Sequence, residues 1–481
     1  MNLKKICLFL LLLVITSPCW AGSKYESKIS SLEGEKWWGG MVGLGSQMPF
    51  KSDMRLFDLS AENLNNQNVP LLLSSEGRYI WSDKPFSFKI EGGNLHLFSD
   101  YESLEPVLAG NTLKDAYMAA STKHFPPSGQ LPDSLFFSMP QYNTWIELMY
   151  NQNQEDILKY ADNIMKNNFP VGVFMVDDNW QKHYGNFDFK PERFPDPKGM
   201  IDQLHKDGFR IMLWICPFVS PDSPEFRELQ QKGYLIKKKG TKQAAIIPWW
   251  NGYSACYDLS NPAAAEHLKK QLRNMQEQYG VDGFKFDAGD IGHYNDPTLE
   301  FYDKAATSVD MCEYWAKIGL DFPFNEYRAG WKMGGQALVQ RLGDKDYSWN
   351  AVGLLIPDMI AAGLLGYAYE GFSEKQFSTS RLTEDSKYDI FVGDLSGDKV
   401  SNGGSASDWV IYSGFARATY NYDEKYLLEF NIRNDYSSYF AKGNRSGVFP
   451  SFSAGWRISE EKFWSVLKPY VPSLKIRGSW G

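Results

Sequence analysis

The sequence predicts an α/β protein with an N-terminal β-sandwich, an incomplete (β/α)8 barrel and a short all-β segment. Three observations lead to this prediction. Residues 30–130 alternate short apolar runs with Gly, Asn and Ser turns, which is typical of antiparallel strands. From Phe136 onward, strands that look buried alternate with helical patterns, as in a parallel arrangement. After residue 408 the strands alternate apolar and polar residues, with no helix between them.

The length and composition of the chain limit its classes of function. A chain of 481 residues is expected to hold about three domains, at roughly 150 residues each. The net charge is −8, and neither a long basic patch nor a phosphate-cradling glycine loop is visible, which argues against nucleic acid as a partner. Aromatic residues make up 15% of the chain, which suits sugar-stacking surfaces and also suits large apolar cores.

The first 21 residues are typical of a secretory signal peptide. Lys4 and Lys5 form a basic start, residues 8–15 form an apolar core too short to span a bilayer, and Ala21 is a small residue at the cleavage site. The sequence therefore predicts an exported bacterial protein. A lipid anchor at Cys19 is the alternative, which the proline before it fits poorly.

Residues 22–130 are expected to form the β-sandwich. Its strands are predicted at Leu71–Leu73, Tyr79–Trp81, Phe86–Phe88 and Leu95–Leu97. The Pro-Pro-Ser-Gly stretch at 126–129 predicts a linker to the barrel.

Residues 131–369 are expected to form a truncated barrel in which six strands are recognisable. The predicted strands are Phe136–Met139, Val171–Val176, Arg210–Ile215, Phe284–Phe286, Phe322–Asn325 and Gln340–Gly343. The predicted helices are Glu155–Lys166, Lys198–Asp207 and Pro262–Tyr279. A seventh strand is expected to begin within Ile360–Tyr369, and the pattern breaks near Glu370.

Residues 370–481 are expected to hold strands with one polar face. In Tyr426–Arg433 one face carries Tyr, Leu, Phe and Ile, and the other carries Leu, Glu, Asn and Arg. This period fits a transmembrane β-barrel wall or a half-exposed soluble sheet, and the pattern alone favours the soluble sheet. No βαβ unit is visible here, so the α/β barrel is not expected to continue.

The segment Val281–Asp290 is the most informative for function. Its strand ends at Asp287, and enzymes built on such barrels place catalytic groups at these strand ends. Lys285 lies two residues earlier and faces the same side, where an ammonium keeps a neighbouring carboxylate ionised. Asp287 is therefore a candidate nucleophile, and turn capping is the structural alternative.

Other chemically useful residues lie at or near the same strand ends. They are Asp177, Asp344, Trp180, Trp214, Trp249, Trp250, Arg328 and Trp331. Carboxylates accept hydrogen bonds from sugar hydroxyls and aromatic faces stack on sugar rings, so the combination indicates carbohydrate binding. Core packing is the alternative for each tryptophan, and a surface ion pair is the alternative for the arginine.

Two carboxylates are sufficient to cleave a glycosidic bond. In a retaining mechanism one attacks the anomeric carbon and the other protonates the leaving oxygen, at a separation of about 5–5.5 Å. No metal or organic cofactor is required, and none is predicted. The cysteines left after signal cleavage, Cys216, Cys256 and Cys312, are odd in number and lack metal-ligand spacing, so no disulfide framework is expected.

Residues from about 36 to 369 resemble glycoside hydrolase family 31, the retaining α-glycosidases with a TIM barrel. The matching motifs are Met175–Trp180, Phe187–Phe189, Arg193–Pro197, Leu213–Pro217, Gly283–Asp290, Gly343–Asp344 and Ser348–Trp349. The Phe-Lys-Phe-Asp-Ala-Gly stretch is most similar to the branch that contains the myogenesis-regulating glycosidase. That branch leans towards α-galactosides, and α-glucosides and α-xylosides stay open as substrates.

The resemblance implies roles for individual residues. Asp287 is the expected nucleophile. Asp344 is the expected acid/base because it keeps the family's five-residue offset to Trp349, and Asp346 is its rival. The resemblance supplies four substrate contacts, and position at the strand ends adds four more. They are Asp177, Trp214, Lys285 and Arg328, and then Asp178, Trp180, Trp250 and Trp331. The expected partner is an oligosaccharide or another α-glycoside.

Residues 415–481 are similar to the β-barrel of TonB-dependent outer-membrane receptors of the starch-utilisation type. The match runs through Asn421–Tyr422, Lys425–Glu429, Phe440–Arg445 and Phe449–Arg457. The receptor-like part is expected to begin at about residue 370, and no receptor plug is recognisable. The resemblance implies a Gram-negative source, a periplasmic or cell-surface location, and membrane association only through the C-terminal part.

The two resemblances together predict a hybrid chain, produced by a gene rearrangement or an assembly artefact. The hydrolase-like part is expected to lack its eighth strand and the later β-domains of the family. Unpaired strand edges would weaken such a barrel, so we expect little or no glycosidase activity. An outer-membrane receptor fragment is the alternative function, although a barrel of that type needs many more strands to close.

Overall fold

The computed structural model describes residues 23–345, 348–366, 411–422, 425–437 and 446–480, except for residues 467, 469 and 472 in the last range. The predicted signal peptide, the rival acid Asp346 and the segment 367–410 lie outside the described residues.

The N-terminal part forms the β-sandwich, and the barrel part supplies one of its strands. One sheet contains, in spatial order, Tyr25–Ser30, Asn94–Ser99, Ser87–Glu91 and Phe57–Asp58. The other contains, in order, Gly330–Trp331, Gln67–Ser74, Arg78–Trp81 and Val107–Leu108, and Trp37–Met41 also pairs with its second strand. Leu72 and Ile80 of this sheet share one buried core with Phe88 and Leu95 of the first.

A helix, Leu113–His124, packs on the second sheet, although only strands were predicted for residues 22–130. Thr112 accepts a hydrogen bond from the Asp115 N–H, and the Asp115 carboxylate accepts one from the Thr112 N–H. This reciprocal capping box has a sequence signature, and it would have predicted the helix.

Five parallel strands form a curled sheet, which is the observed part of the barrel. In chain order they are Gln141–Asn143, Val173–Val176, Arg210–Ile215, Gly283–Phe286 and Asn325–Tyr327. We number them as the first to fifth barrel strands, and each pairs with the next one in chain order. Because all five run parallel, their carboxyl ends lie on one side of the sheet.

The first barrel strand lies further along the chain than predicted. Residues Leu135–Ser138 form a short helix instead, because Asp133 accepts a hydrogen bond from the Leu135 N–H at 2.8 Å and starts a helical turn. Phe136 still packs in the interior, where its ring centroid lies 4.4 Å from that of Phe324. The apolar pattern was recognised correctly, but the secondary structure was not.

The last predicted barrel strands also differ from the structure. The fifth strand begins at Asn325 because residues Gly319–Asp321 form a 3₁₀ turn, and the Asn325 amide donates to the carbonyls of Gly319 and Phe322. The predicted sixth strand is reduced to one parallel bridge between Tyr327 and Gln340.

The predicted seventh strand is wrong at its start. Ile360 lies inside the helix Trp349–Leu364, which Ser348 caps by accepting a hydrogen bond from the Ala351 N–H. An apolar run of this kind is compatible with either structure, and periodicity did not separate the two. The remainder of the predicted strand, residues 367–369, lies outside the described residues.

The three helices that the sequence predicted in the barrel part are present, and their observed ends differ from the predicted ends by at most one residue. Including these three, the remaining helices are Trp145–Leu148, Gln154–Lys166, Pro197–Lys206, Pro224–Lys232, Pro262–Tyr279 and Ser308–Ile318, with 3₁₀ turns at Val42–Gln47 and Ile291–Tyr294. Short antiparallel strands lie in the loops at Phe218–Val219, Lys237–Lys238, Ile247–Trp249, Gly252–Cys256 and Leu299–Glu300. In the described part of the chain, no helix has the length and hydropathy needed to cross a bilayer.

The C-terminal part forms a four-stranded antiparallel sheet. Its strands are Ile411–Tyr422, Tyr426–Ser437, Ser446–Arg457 and Lys475–Trp480, with 3₁₀ turns at Ile458–Glu460 and Lys462–Val466. The register places large apolar side chains on one face, where they are exposed. They are Tyr420, Tyr422, Tyr426, Leu428, Phe430, Val448, Phe452, Trp456, Ile476 and Trp480. The opposite face carries polar residues such as Asn431 and Ser453, as the sequence alternation predicted.

Candidate active site

The carboxyl ends of the barrel strands bring most of the predicted site residues into one pocket. Asp177 follows the second strand, Trp214 lies in the third, Lys285 and Asp287 lie in and after the fourth, and Arg328 follows the fifth. The pocket has a volume of about 750 Å³. It is lined by Asn65, Asn143, Trp145, Ile146, Tyr150, Asp177, Asp178, Trp214, Trp250, Lys285, Asp287, Arg328, Arg341, Asp344 and Lys345.

Asp287 is buried among hydrogen-bond donors and positive charges. The Trp214 indole N–H donates to Oδ2 at 3.0 Å, and the Arg328 Nε–H donates to Oδ1 at 3.0 Å. Burial alone would raise the pKa of Asp287, but Lys285, Arg328 and Arg341 outweigh burial and hold that pKa well below its usual range. The carboxylate is therefore ionised, as a nucleophile requires.

The turn after Asp287 needs two residues in the left-handed region of backbone space. Ala288 has a φ of 58°, and its N–H donates to Asp287 Oδ1 at 2.9 Å. Gly289 has a φ of 73°, and a Cβ at this position would lie 2.1 Å from the ring of Trp315. Glycine is therefore required at this position.

Lys285 forms a buried ion pair with Asp177. Its Nζ lies 2.7 Å from Asp177 Oδ2, and both side chains are less than a tenth exposed. Burial alone would lower the pKa of Lys285, but Asp177 and Asp287 raise it, so the ammonium stays charged. Sequence reasoning paired this lysine with Asp287, and the structure shows that its direct partner is Asp177.

Arg328 is a buried residue that bridges two carboxylates. While its Nε–H donates to Asp287, its terminal nitrogens donate to Asp290 at 2.8 and 2.6 Å. The N-terminal sandwich supports this arrangement through Asn63, which donates to Asp290 at 3.0 Å, and Asn65, which accepts from Arg328 at 3.3 Å. The surface ion pair considered for this arginine is therefore excluded.

The guanidinium of Arg341 reaches both predicted catalytic acids. It donates to Asp344 Oδ1 at 2.7 Å, and its other terminal nitrogen lies 3.6 Å from Asp287 Oδ1. Its Nε lies 3.3 Å from Glu326, whose carboxyl has a pKa raised by burial. The Asp344 side chain is 88% exposed, which leaves it open to substrate and water at the rim of the pocket.

Asp178 anchors a hydrogen-bond network on another wall of the pocket. Its carboxyl oxygens accept from the Tyr184 hydroxyl at 3.1 Å and from the Asn251 amide at 2.8 Å. The Asn251 Oδ1 accepts in turn from the Tyr150 hydroxyl at 2.7 Å. Burial raises the pKa of Asp178 to about 6, so its charge changes in a mildly acidic solution.

The predicted tryptophans do not all lie at the pocket. Trp250 is half-exposed on a hairpin turn, with its ring centroid 5.6 Å from the Arg328 guanidinium carbon. Trp180 and Trp331 are fully buried and do not line the pocket, so their prediction as substrate contacts is corrected to core packing. Trp180 donates to the backbone carbonyl of Trp214 at 2.8 Å, and Trp331 lies in the core of the sandwich. Trp249 is also buried, against Phe218.

Several functional candidates were missed by sequence reasoning. They are Asn65, Tyr184, Asn251, Asp290, Glu326 and Arg341. Asp290 ends the most informative motif and Arg341 lies in a predicted strand, so both had a usable signal. The two asparagines lie in loops without a pattern, and only the fold brings them to the pocket.

The described residues show how the cysteines are placed. Cys216, Cys256 and Cys312 are free and buried, and burial raises the pKa of each thiol. Within the described ranges, no cluster of three or more His, Cys, Asp or Glu side chains is arranged to hold a metal ion.

The fold and the pocket define a class of protein. The pocket at the carboxyl ends of the barrel strands holds an ionised buried carboxylate, an exposed second acid and aromatic side chains, a combination that is typical of barrel enzymes that act on carbohydrates. Comparison with known families makes the assignment specific. Residues 137–373, just under half of the chain, match the Glycosyl hydrolases family 31 TIM-barrel domain, which assigns this part of the chain to that type of domain.

Individual relatives agree with the family assignment. The mouse myogenesis-regulating glycosidase is 28% identical over 266 residues, which cover 55% of this chain and 37% of that protein. The structure of a Flavobacterium johnsoniae GH31 dextranase, complexed with glucose, superposes with a TM-score of 0.60 at 16% identity. The superposition covers 71% of this chain and 45% of the dextranase, and it supports the fold. The chain thus spans less than half the length of these two relatives.

A short segment of the chain is similar to a different kind of protein. The TonB-dependent receptor SusC of Bacteroides thetaiotaomicron is 42% identical over 71 residues, which cover 15% of this chain and 7% of the receptor. The chain therefore combines a hydrolase barrel with a short receptor-like segment, as the two sequence resemblances predicted.

Proposed function

We propose that the barrel hydrolyses terminal α-glycosidic bonds with retention, through a covalent glycosyl-enzyme. The observation that carries this proposal is the contact of one guanidinium, that of Arg341, with both Asp287 and Asp344. The first acid is buried and ionised, and the second is exposed to solvent. A nucleophile and a proton donor of this kind, side by side in one pocket, are the requirements of a retaining glycosidase.

The reaction follows from the positions of these two acids. Asp287 attacks the anomeric carbon while the protonated Asp344 gives its proton to the glycosidic oxygen, and the bond between this carbon and oxygen breaks. The Asp344 carboxylate then takes a proton from water, whose oxygen attacks the anomeric carbon and releases Asp287. The remaining charged groups, Lys285 and Arg328, keep the nucleophile ionised between turnovers.

The walls of the pocket supply the contacts for a sugar ring. Asp177 carries a carboxylate that accepts hydroxyl hydrogen bonds beside Lys285, and Trp250 offers an exposed ring face for stacking. The Asp178 oxygens already accept from Tyr184 and Asn251, so this acid acts mainly by shaping the wall. An α-galactoside is the first candidate substrate, followed by an α-glucoside and an α-xyloside.

Trapping of the glycosyl-enzyme tests this function even if turnover is slow. The full chain is incubated with 5-fluoro-α-galactosyl and 5-fluoro-α-glucosyl fluorides, and the labelled peptide is located by mass spectrometry. We expect one adduct on Asp287, loss of the adduct in Asp287→Asn, and retention of the adduct in Asp202→Asn, an exposed acid on a helix. Hydrolysis of aryl α-glycosides that is unchanged in Asp287→Asn would show that the nucleophile is misassigned.

The exposed apolar face of the C-terminal sheet supports a second candidate, a fragment of an outer-membrane receptor. We propose export to the periplasm or cell surface of a Gram-negative bacterium, with membrane association through this sheet alone. Membrane fractionation and the electrophoretic mobility of unheated samples separate the two functions. Recovery as a heat-modifiable barrel in the outer membrane would favour the receptor class for the whole chain.

A further inference from the structure

A second cavity lies in the gap between the two edges of the barrel sheet. Its volume is about 450 Å³, and its lining includes residues of the first and fifth barrel strands, which are the outermost strands of the sheet. Phe136, Met175, Val339 and Met359 give it an apolar wall. The interior of a complete barrel is filled by layers of side chains, whereas the described residues leave this space beside the outermost strands open.

One polar side chain in this cavity lacks partners. Gln340 is 3% exposed, and among the described residues neither its Nε2 nor its Oε1 has a hydrogen-bond partner. Buried amides are almost always hydrogen-bonded, because water no longer compensates them. Both amide atoms are covered by protein, so the Gln340 side chain has to turn towards the cavity to meet a ligand. A ligand that offers one acceptor and one donor would then satisfy both amide atoms at once.

We propose that this cavity is a binding site for a small flat aromatic molecule that carries a primary carboxamide. Its ring packs against the apolar wall, and its amide pairs with the side-chain amide of Gln340. Apolar cavities bind aromatic molecules readily because they hold little ordered water, and a few polar groups then fix orientation. The site shares Asn143 and Arg341 with the carboxylate pocket but is otherwise separate from it, so it does not depend on the proposed hydrolysis.

The test compares two probes of the same shape, 2-naphthamide and naphthalene. Their dissociation constants for the full chain are measured by equilibrium dialysis. In Gln340→Met, which has similar length and no hydrogen-bonding amide, we expect the binding of 2-naphthamide to weaken about tenfold while naphthalene binding stays the same. The matched control is Trp250→Ala, which changes the carboxylate pocket alone and should leave both dissociation constants unchanged.

A second variant keeps the test decisive if Gln340→Met fails to melt cooperatively. Met359→Trp fills the cavity from the helix Trp349–Leu364, and we expect it to abolish binding of both probes. The proposal is overturned if the wild-type chain shows no saturable binding, or if both cavity variants bind 2-naphthamide as tightly as the wild-type chain does. Loss of binding in Trp250→Ala would also overturn it, because the probe would then occupy the carboxylate pocket.

Discussion

The Arg328 guanidinium donates its Nε–H to Asp287 and both terminal nitrogens to Asp290, so one buried cation serves two buried acids. Arg328 therefore orients Asp287, the candidate nucleophile, while Asp290 fixes the position of Arg328 itself. Removal of this cation would affect the stability of the barrel as well as its chemistry.

Replacement of Arg328 by Met should strongly destabilise the chain. The substitution leaves Asp287 and Asp290 buried near each other without their shared partner, and breaking a buried pair in this way costs about 3–5 kcal/mol. Urea unfolding at neutral pH measures the change in free energy of unfolding. Arg227→Met is the control, because its pair with Asp222 is exposed and should contribute less than about 1 kcal/mol. Equal losses in the two variants would contradict the buried role of Arg328.

Asp178 should make stability depend on pH in mildly acidic solution. Its folded-state pKa of about 6 lies above an unfolded-state value of about 3.9. Its contribution is therefore fully present below about pH 3.9 and is lost as the pH rises through about 6, by up to about 3 kcal/mol. Urea unfolding from pH 4 to 7.5 should show wild type losing stability relative to Asp178→Asn. Asp202→Asn serves as the exposed control. If the difference in free energy of unfolding between wild type and Asp178→Asn does not change with pH, the pKa of Asp178 is not raised.

Asn63→Ala should weaken the contact between the sandwich and the pocket. The Asn63 amide donates to Asp290 at 3.0 Å and to the Asn66 carbonyl at 2.8 Å, in a buried position. Loss of these bonds leaves buried acceptors unsatisfied and should lower the free energy of unfolding by about 1–3 kcal/mol. Asn94→Ala, whose amide makes an exposed turn contact, should change it by less than about 0.5 kcal/mol. A neutral Asn63→Ala would show that the sandwich does not stabilise the pocket.

Phe430→Lys should reduce the tendency of the chain to associate. Phe430 lies opposite Phe452 on the exposed apolar face of the C-terminal sheet, and such faces bind membranes or other proteins. We expect the fraction of chain in a high-speed pellet to fall by about half or more, both with and without detergent. Ser453→Lys, on the polar face, is the matched control and should not change it. An unchanged pellet in both variants would mean that this face is not responsible for association.

The fold was predictable where local patterns and tertiary packing agree. The second, third and fourth barrel strands are short buried runs ended by polar or turn residues, and their predicted positions were correct within two residues. The first strand was misplaced because Asp133 starts a helical turn before it. The helix Trp349–Leu364 was read in part as a strand because its apolar residues do not reveal a period.

The pocket was predictable as far as strand ends determine it. Asp177, Trp214, Lys285 and Asp287 lie at neighbouring parallel strands, so their proximity follows from the strand order. Trp180 and Trp331 show the limit of this reasoning, because an aromatic residue beside a strand end packs in the core as readily as in a pocket. The contact between Asn63 and Asp290 joins residues 227 positions apart, and no local pattern predicts it.

The pairing of Gly330–Trp331 with Gln67–Asn68 has a consequence for synthesis of the chain on the ribosome. The N-terminal sheet receives this strand only after about 250 further residues have been made, which takes roughly 10–50 s at about 5–20 residues per second. During that interval, Gln67 and Asn68 at the start of the strand Gln67–Ser74 lack the partner that Gly330–Trp331 later supplies. The rest of this strand already pairs with Arg78–Trp81 and Trp37–Met41. The start of this strand is therefore open to mispairing for longer than its early position in the sequence suggests. Chaperone binding there would matter most before residue 331 emerges.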